Sequence, residues 1–273
     1  IHTFTGKHKK MDNKPQFIHL HVHSHYSILD GMSKVPDLIA KSRKCGMNAI
    51  ALTDHGNMFG IKEFSDEVKK INGKIKGQIA EKENILKSEE ATEEEKAEAE
   101  KEIDKLKNSF FKPIIGVEAY CAKRTLYDKD KNYKMINPET GKEVIVVSSG
   151  YHLILLAKNK KGYQNLCKLV SIAWIDGNYH RPRIDKNILE QYREGIIVCS
   201  ACLGGEVDQH LIAGNYDKAK ETVEWFKKIF GEDYYLEIMR HKTDKPNADT
   251  KVYERQEQIN PDIIRLARET GVK

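Results

Sequence analysis

Short apolar runs alternate with helix-like segments along most of this chain, and that alternation limits the fold more than any other feature. Phe17–His23 reads as a strand and is followed by a helix over Val35–Cys45, with Pro36 in its first turn and Gly46 just past its end. Ala49–Thr53 reads as a second strand, followed by a helix over Lys62–Ile71 that Asn72-Gly73 should close. Pro113–Ala122, Leu153–Ala157, Ile196–Ser200 and Tyr234–Met239 supply four more strands. The last three are followed by helical spacing at Tyr163–Ile175, on to Gly231, and at Pro261–Glu269. Near-continuous apolar strands alternating with helices predict an α/β fold with a parallel sheet. Six such units favour a (β/α) barrel over an open sheet. Gly271 reads as a helix stop and Val272 as the start of a further strand, so the expectation is a fragment, or an early end, with a barrel edge left open.

One segment stands outside the alternation. Lys74–Lys107 holds 8 Lys and 11 Asp or Glu, a self-pairing composition rather than a polyanion-binding run. Ile75, Ile79 and Leu86 share one helical stripe, and Ile103, Leu106 and Phe110 share another. Thr92 with Glu95 three residues on matches a capping box. The expected structure is an antiparallel helical hairpin inserted at 74–108; a solvated charged loop is the competing reading.

Composition narrows the function classes. No apolar run approaches the ~20 residues of a membrane span, and Ile1–Lys10 is basic with no apolar stretch behind it, so no signal peptide is visible. Met11 is a possible natural start, and residues 1–15 read as an N-terminal extension ahead of a domain over 16–273. Five cysteines (45, 121, 167, 199 and 202) do not make a disulfide framework and point to a reducing cytoplasm. Cys199 reads as core, which argues against a redox pair with Cys202. A net charge of +5 permits a polyanionic partner without requiring one.

Four of the eleven histidines fall within seven residues: His19, His21, His23 and His25, alternating with Leu20, Val22 and Ser24. A strand sends alternate side chains to opposite faces, so a row of imidazoles shares one face, which is poor core material and good metal chemistry. Further ligand types stand at later strand ends: Asp30 before Gly31, Thr53-Asp54-His55-Gly56, Glu118, His152 at the start of its strand, and Cys202 in Ser200–Gly205. Taken singly, each reads as an ordinary polar residue; their recurrence at successive strand ends, where barrel sites form, reads as a metal centre. His19 should be buried one layer deeper and hydrogen-bonded. His25, His180, His210 and His241 should lie outside the ligand set.

The stretches FIHLHVHSHYSILDG (17–31), ALTDHG (51–56), KPIIGVEA (112–119), YHLILLAKNKKGYQNLCK (151–168), PRID (182–185) and SACLGG (200–205) resemble the polymerase and histidinol phosphatase (PHP) domain family. Within it they are most similar to the PHP domains at the N-terminus of bacterial replicative DNA polymerase III alpha subunits. Tyr151-His152 followed by Gly-Tyr-Gln-Asn-Leu separates that group from stand-alone histidinol-phosphatase-type enzymes. The resemblance implies a distorted (β/α)7 TIM-like barrel, here truncated before its last strands. It implies up to three divalent metals, zinc, manganese or iron, and fewer where ligands are lacking. Carried over by position, the ligands are His21, His23, Asp30, His55, Glu118, His152 and Cys202, with Glu118 bridging. The family's final pair, an Asp-x-His on a later strand, has no counterpart before Lys273. Arg181, Arg183 and Arg240 are candidate phosphate or DNA contacts. The implied activity is metal-dependent phosphoester hydrolysis, such as 3′–5′ exonuclease action, within a DNA-directed DNA polymerase active in replication. The implied partners are DNA, the other domains of that polymerase and other replisome subunits, with no membrane. A non-catalytic structural and subunit-docking scaffold is the first alternative, and a stand-alone histidinol-phosphatase-type phosphoesterase ranks below it.

Overall fold

The computed structural model describes residues 17–129, 134–136, 143–145 and 150–273; the N-terminal extension and Met11 lie outside the described residues. In chain order come α1 (Val35–Lys44), β1 (Ala49–Leu52), α2 (Ile61–Lys87), α3 (Glu93–Lys107), β2 (Lys112–Cys121), β3 (Lys134–Ile136), β4 (Glu143–Ile145) and β5 (Tyr151–Ala157). There follow α4 (Lys160–Ile175), β6 (Arg183–Ile184), α5 (Lys186–Gln191), β7 (Ile196–Cys199), α6 (Glu206–Ile212), α7 (Tyr216–Phe230), β8 (Tyr234–Tyr235) and α8 (Lys251–Thr270). The main sheet runs β1-β2-β5-β7-β8, with β6 pairing the end of β2, and β3 and β4 form a separate hairpin.

The fold is α/β, as the alternation predicts, but the sheet is mixed rather than parallel. β1 is parallel to β2 and β7 to β8, while β5 runs antiparallel to both β2 and β7. A parallel neighbour needs a crossover, usually a helix; none is described between β2 and β5, and the chain reverses there. Side-chain alternation still sorts the two faces. Val117, Leu153, Leu155 and Val198 face outward into the large core beneath α4, α6, α7 and α8. Ile50 and Leu52 pack on α1 and α2. Ala51, Ile154, Leu156, Cys199 and Ala201 form a smaller cluster on the other face, the face that also carries Glu118 and His152. Cys199 is core, as expected, and burial pushes its thiol up to about 12.

Four further expectations need correction. The first histidine segment is not a regular strand. It lies along β1 through Ala51 N–H to the His19 carbonyl and Thr53 N–H to the Val22 carbonyl, so three steps on one side oppose two on the other. This extra residue breaks the alternation, leaving His19 and Leu20 exposed rather than buried. Second, α2 does not stop at Asn72-Gly73 but runs on to Lys87. Asn72 acts instead as a clamp: its Nδ2 donates to the Phe111 carbonyl, and Phe111 N–H donates back to its Oδ1, both at 2.9 Å. Third, β8 ends at Tyr235, and residues 236–239 join no strand ladder. Fourth, α8 begins at Lys251, ten residues before Pro261, which sits inside it.

The charged segment does form two packed helices. Ile75, Ala99 and Ile103 are buried between them, Lys82 pairs with Glu102, and the Thr92–Glu95 capping box is present in both directions. Half-buried Asn72 satisfies both the N–H and the carbonyl of Phe111, and losing two such hydrogen bonds at once is costly. Asn72→Ala should therefore destabilise the protein by about 1–3 kcal/mol, measured by urea unfolding. An unchanged midpoint would show that the helix pair is held by its apolar stripe alone.

Candidate metal centre

Glu118 is the centre of the site. It lies on β2 at 0% exposure, and imidazoles approach it from three sides. His21 Nε2 is 3.3 Å from Oε1 and His23 Nε2 is 3.2 Å from Oε2. His55 Nδ1 is 2.5 Å from Oε2 and His152 Nδ1 is 2.8 Å from Oε1. Two three-donor groups result, His21–His23–Glu118 and His55–Glu118–His152, each with ligand atoms mutually within 4.8 Å. They share the one carboxylate. Cys202 Sγ lies beside the second group, 3.7 Å from His152 Nδ1 and 3.9 Å from Glu118 Oε1. Asp30 Oδ2 stands behind His55, 2.8 Å from Nε2, so that ring lies between two carboxylates. All seven residues read from the sequence thus fall in one place.

Backbone geometry sets each of them. Glu118 N–H donates to the Asp54 carbonyl, and Gly56 N–H donates to the Glu118 carbonyl, fixing the His55 turn against β2. Gly56 has φ +63°, and a Cβ there would meet Pro182 Cγ at 2.7 Å, so the turn needs glycine. Asp54, buried, accepts from Ser24 N–H, Ser24 Oγ and Ser27 Oγ at 2.7–2.8 Å and so anchors the loop that carries His23 and Asp30. The reversal of β5 matters here: its first residues, not its last, lie at this edge, and His152 enters from there. Ala201, buried with φ +66°, turns the chain so that Cys202 faces the group, a conformation L residues rarely hold. The next turn lies directly on the imidazole, since a Cβ at Gly204 would come within 2.9 Å of His152 Cγ.

The electrostatics follow from one buried carboxylate among imidazoles. Burial alone would push Glu118 up, but His152, His21 and His55 outweigh it and hold the carboxyl far below the usual range. Burial opposes charge on His21 and His152 too. Glu118 and Glu237 raise His21 to about 9 nonetheless, and Cys202 and Glu118 raise His152 to about 9. Burial, then the positive charge of His55 and His21, lowers His23 to about 4. His55 Nδ1 and Glu118 Oε2 are close yet not aligned for a hydrogen bond, and both lack one. Donor atoms that converge without pairing fit a shared cation, and the nitrogen, oxygen and sulfur set suits zinc, iron or manganese better than calcium.

The sequence profile of the PHP domain matches residues 19–241. The chain belongs to the PHP domain family. The alpha subunit of DNA polymerase III from Borreliella burgdorferi is 40% identical over 262 residues, covering 96% of this chain and 18% of that protein. The alpha subunit from Campylobacter jejuni is 35% identical, covering 94% and 17%. This PHP domain chain therefore spans less than a fifth of the relatives it matches. A solved Bifidobacterium adolescentis chain, provisionally described as a metal-dependent phosphoesterase, has a TM-score of 0.35 at 11% identity, covering 92% of this chain and 97% of that one, too low to carry an argument.

Two site expectations change. Arg183 is not a phosphate contact: it is 1% exposed, and its guanidinium donates to the carbonyls of Gly177, Leu126 and Asp128. Arg240 pairs with Glu257 and is absent from the cleft over the centre, whereas Arg181 and His180 line that cleft. Sequence reasoning missed Glu237, whose Oε1 lies 2.9 Å from His21 Nδ1. It follows β8 in an ordinary-looking Leu-Glu-Ile run, and only the fold brings it across. In metal-free protein, charged His21 and His152 stabilise the fold below their ordinary 6.5, and that contribution is lost as pH rises through about 9. With chelator present, the melting temperature should fall between pH 7 and 10. Metal reverses the sign, because ligand imidazoles must be neutral, so saturating zinc should remove that fall. A flat chelator profile would show that these pairs do not support the fold.

Proposed function

We propose that this PHP domain is the metal-binding module of a bacterial replicative DNA polymerase alpha subunit, with metal-dependent phosphoesterase chemistry directed at 3′ ends of DNA. The observation that carries this is the sharing of Glu118 between two three-donor groups. Bound divalent ions would supply Lewis acidity and an activated water. The chain's own residues do the rest. His21 and His23 hold one position, and His55 and His152 with Cys202 hold the other. Glu118 belongs to both, Asp30 holds His55, and Glu237 fixes the tautomer of His21 so that Nε2 faces inward. Zinc, manganese or iron fits this donor set, up to three ions in a domain with further ligands.

The sheet is read as part of a distorted (β/α)7 barrel within a domain over 16–273, with a dispensable insertion at 74–108. The partners are DNA, the remaining domains of the polymerase and other replisome subunits, in a reducing cytoplasm. Ile28 and Leu29, which line the cleft at 87% and 76% exposure, favour a second reading in which this face docks a neighbouring domain and the metals serve structure.

Three measurements test these readings. The His21→Ala/His23→Ala protein should lose bound transition metal by elemental analysis, and its metal-dependent trimming of 3′-labelled single-stranded DNA should disappear with it. Metal-loaded protein that leaves 3′ ends intact would support the docking reading instead. Glu237→Gln should weaken metal affinity by about 10–100-fold, read by chelator competition; unchanged affinity would remove Glu237 from the site. Because Asn72 and Phe111 already close the base of the helix pair, replacing 74–108 by a short Gly-Ser linker should leave a folded, metal-binding protein by circular dichroism. Collapse of that signal would make the pair part of the core.

A further inference from the structure

A cleft of about 530 Å³ opens over the His55–Glu118–His152 group. That volume falls in the range of small-ligand sites. Asp30, His55 and His152 line it close to the group, Phe59 and Trp174 form one wall, and Arg181 lines it as well. The two rings are 60% and 42% exposed, with centroids 5.9 Å apart and planes tilted by 39°, so they present one continuous aromatic surface.

Both rings are tied to the His55 turn. Trp174 Nε1 donates to the Gly56 carbonyl at 2.9 Å. Phe59 N–H donates to Asn57 Oδ1, and Asn57 Nδ2 donates to the carbonyls of His55 and Tyr26. The aromatic surface is therefore held at a fixed distance from the metal-ligand types. Arg181 has its guanidinium 5.6 Å from the Tyr120 ring centroid, and Tyr120 itself stacks near His55 and lies edge-on to His152. Every nucleobase has a π-face that stacks on aromatic side chains, and a guanidinium matches phosphate geometry. A sugar phosphate without a base would leave the aromatic wall uncovered.

We propose that Phe59 and Trp174 receive the terminal nucleobase of a DNA strand whose last phosphodiester lies over the His55–Glu118–His152 group, with Arg181 on that phosphate. This makes the wall a specificity element that selects nucleotides over base-free phosphate esters. It rests on the phosphoesterase reading above, and the experiment separates the two.

The probe is a short single-stranded DNA with 2-aminopurine as its 3′-terminal base and a non-hydrolysable final linkage. It is titrated into manganese-loaded protein and read as fluorescence quenching and as Kd. Phe59→Ala and Trp174→Leu should each weaken binding by about tenfold and remove the quench, with metal content unchanged. Trp174→Phe, which keeps an aromatic face but loses the second ring and the indole N–H, should retain the quench, separating stacking from loss of fold. A strand ending in an abasic sugar should bind the original protein and Phe59→Ala equally weakly.

The proposal is overturned if folded Phe59→Ala binds and quenches like the original protein, or if base-ended and abasic strands bind the original protein alike. The aromatic wall would then serve a covering protein domain. Quenching that depends on Phe59, in a protein that never cleaves natural 3′ ends, would support the stacking site and refute the phosphoesterase reading. Cleavage without that dependence would do the opposite.

Discussion

A carboxylate with no solvent exposure on a central strand sets conditions for everything around it. Glu118 lies in the middle of β2, where its neighbours Val117 and Ala119 face the helical core. A charge there is tolerated only if compensating groups surround it. Four imidazoles do so, delivered by segments far apart in sequence: the irregular stretch before Ser24, the turn after β1 and the beginning of β5. The arrangement makes sense only if the sheet brings these segments to one edge. Sheet topology and site are thus two aspects of one requirement, and the glycines at 56 and 204 are its steric consequence.

The same compensation divides the imidazoles into unlike members. His21 stands between Glu118 and Glu237 and favours its charged form, while His23, one alternate position along, favours the neutral one. Two chemically identical side chains on one short segment acquire different proton affinities because burial prevails at His23, whereas at His21 hydrogen bonds to Glu118 and Glu237 outweigh it. Arg183 shows the same economy elsewhere. Its buried guanidinium binds three backbone carbonyls and so fixes the loop from which Arg181 projects, and a cation placed to hold a loop is not placed to meet a ligand.

The sequence made the site more legible than the fold. His21, His23, Asp30, His55, Glu118, His152 and Cys202 were readable because each sits in a short local motif next to a strand end, and local spacing survives errors in strand direction. Strand direction itself was not readable: Leu153–Leu156 is equally apolar whichever way it runs, and nothing local marks the reversal before it. The bend at Leu20 was hidden because an inserted residue changes no composition. Asn72-Gly73 looked like a stop because both residues favour turns, but the long apolar stripe that continues through Ile75 carried α2 past them. Pro261 looked like a helix start for the same kind of reason, while tertiary burial of Ile259 and Asn260 extended α8 upstream. Glu237 had no local signal at all. Its role exists only because β8 pairs with β7 and brings Glu237, two residues past the strand, opposite His21.

The Asn72–Phe111 clamp has a kinetic side. β1 and β2 are neighbours in the sheet, yet most of the chain between them lies in the two long helices. Helix pairs form from contacts close in sequence, quickly and without waiting for the sheet. Once the pair has closed across the 39 positions that separate Asn72 from Phe111, the loop that β1–β2 pairing must still close is only the short stretch outside it. Loop-closure entropy is then set by that residual length, not by the length along the chain. A highly charged insertion that contributes nothing to the metal centre can in this way lower the topological cost of building the sheet on which Glu118 sits.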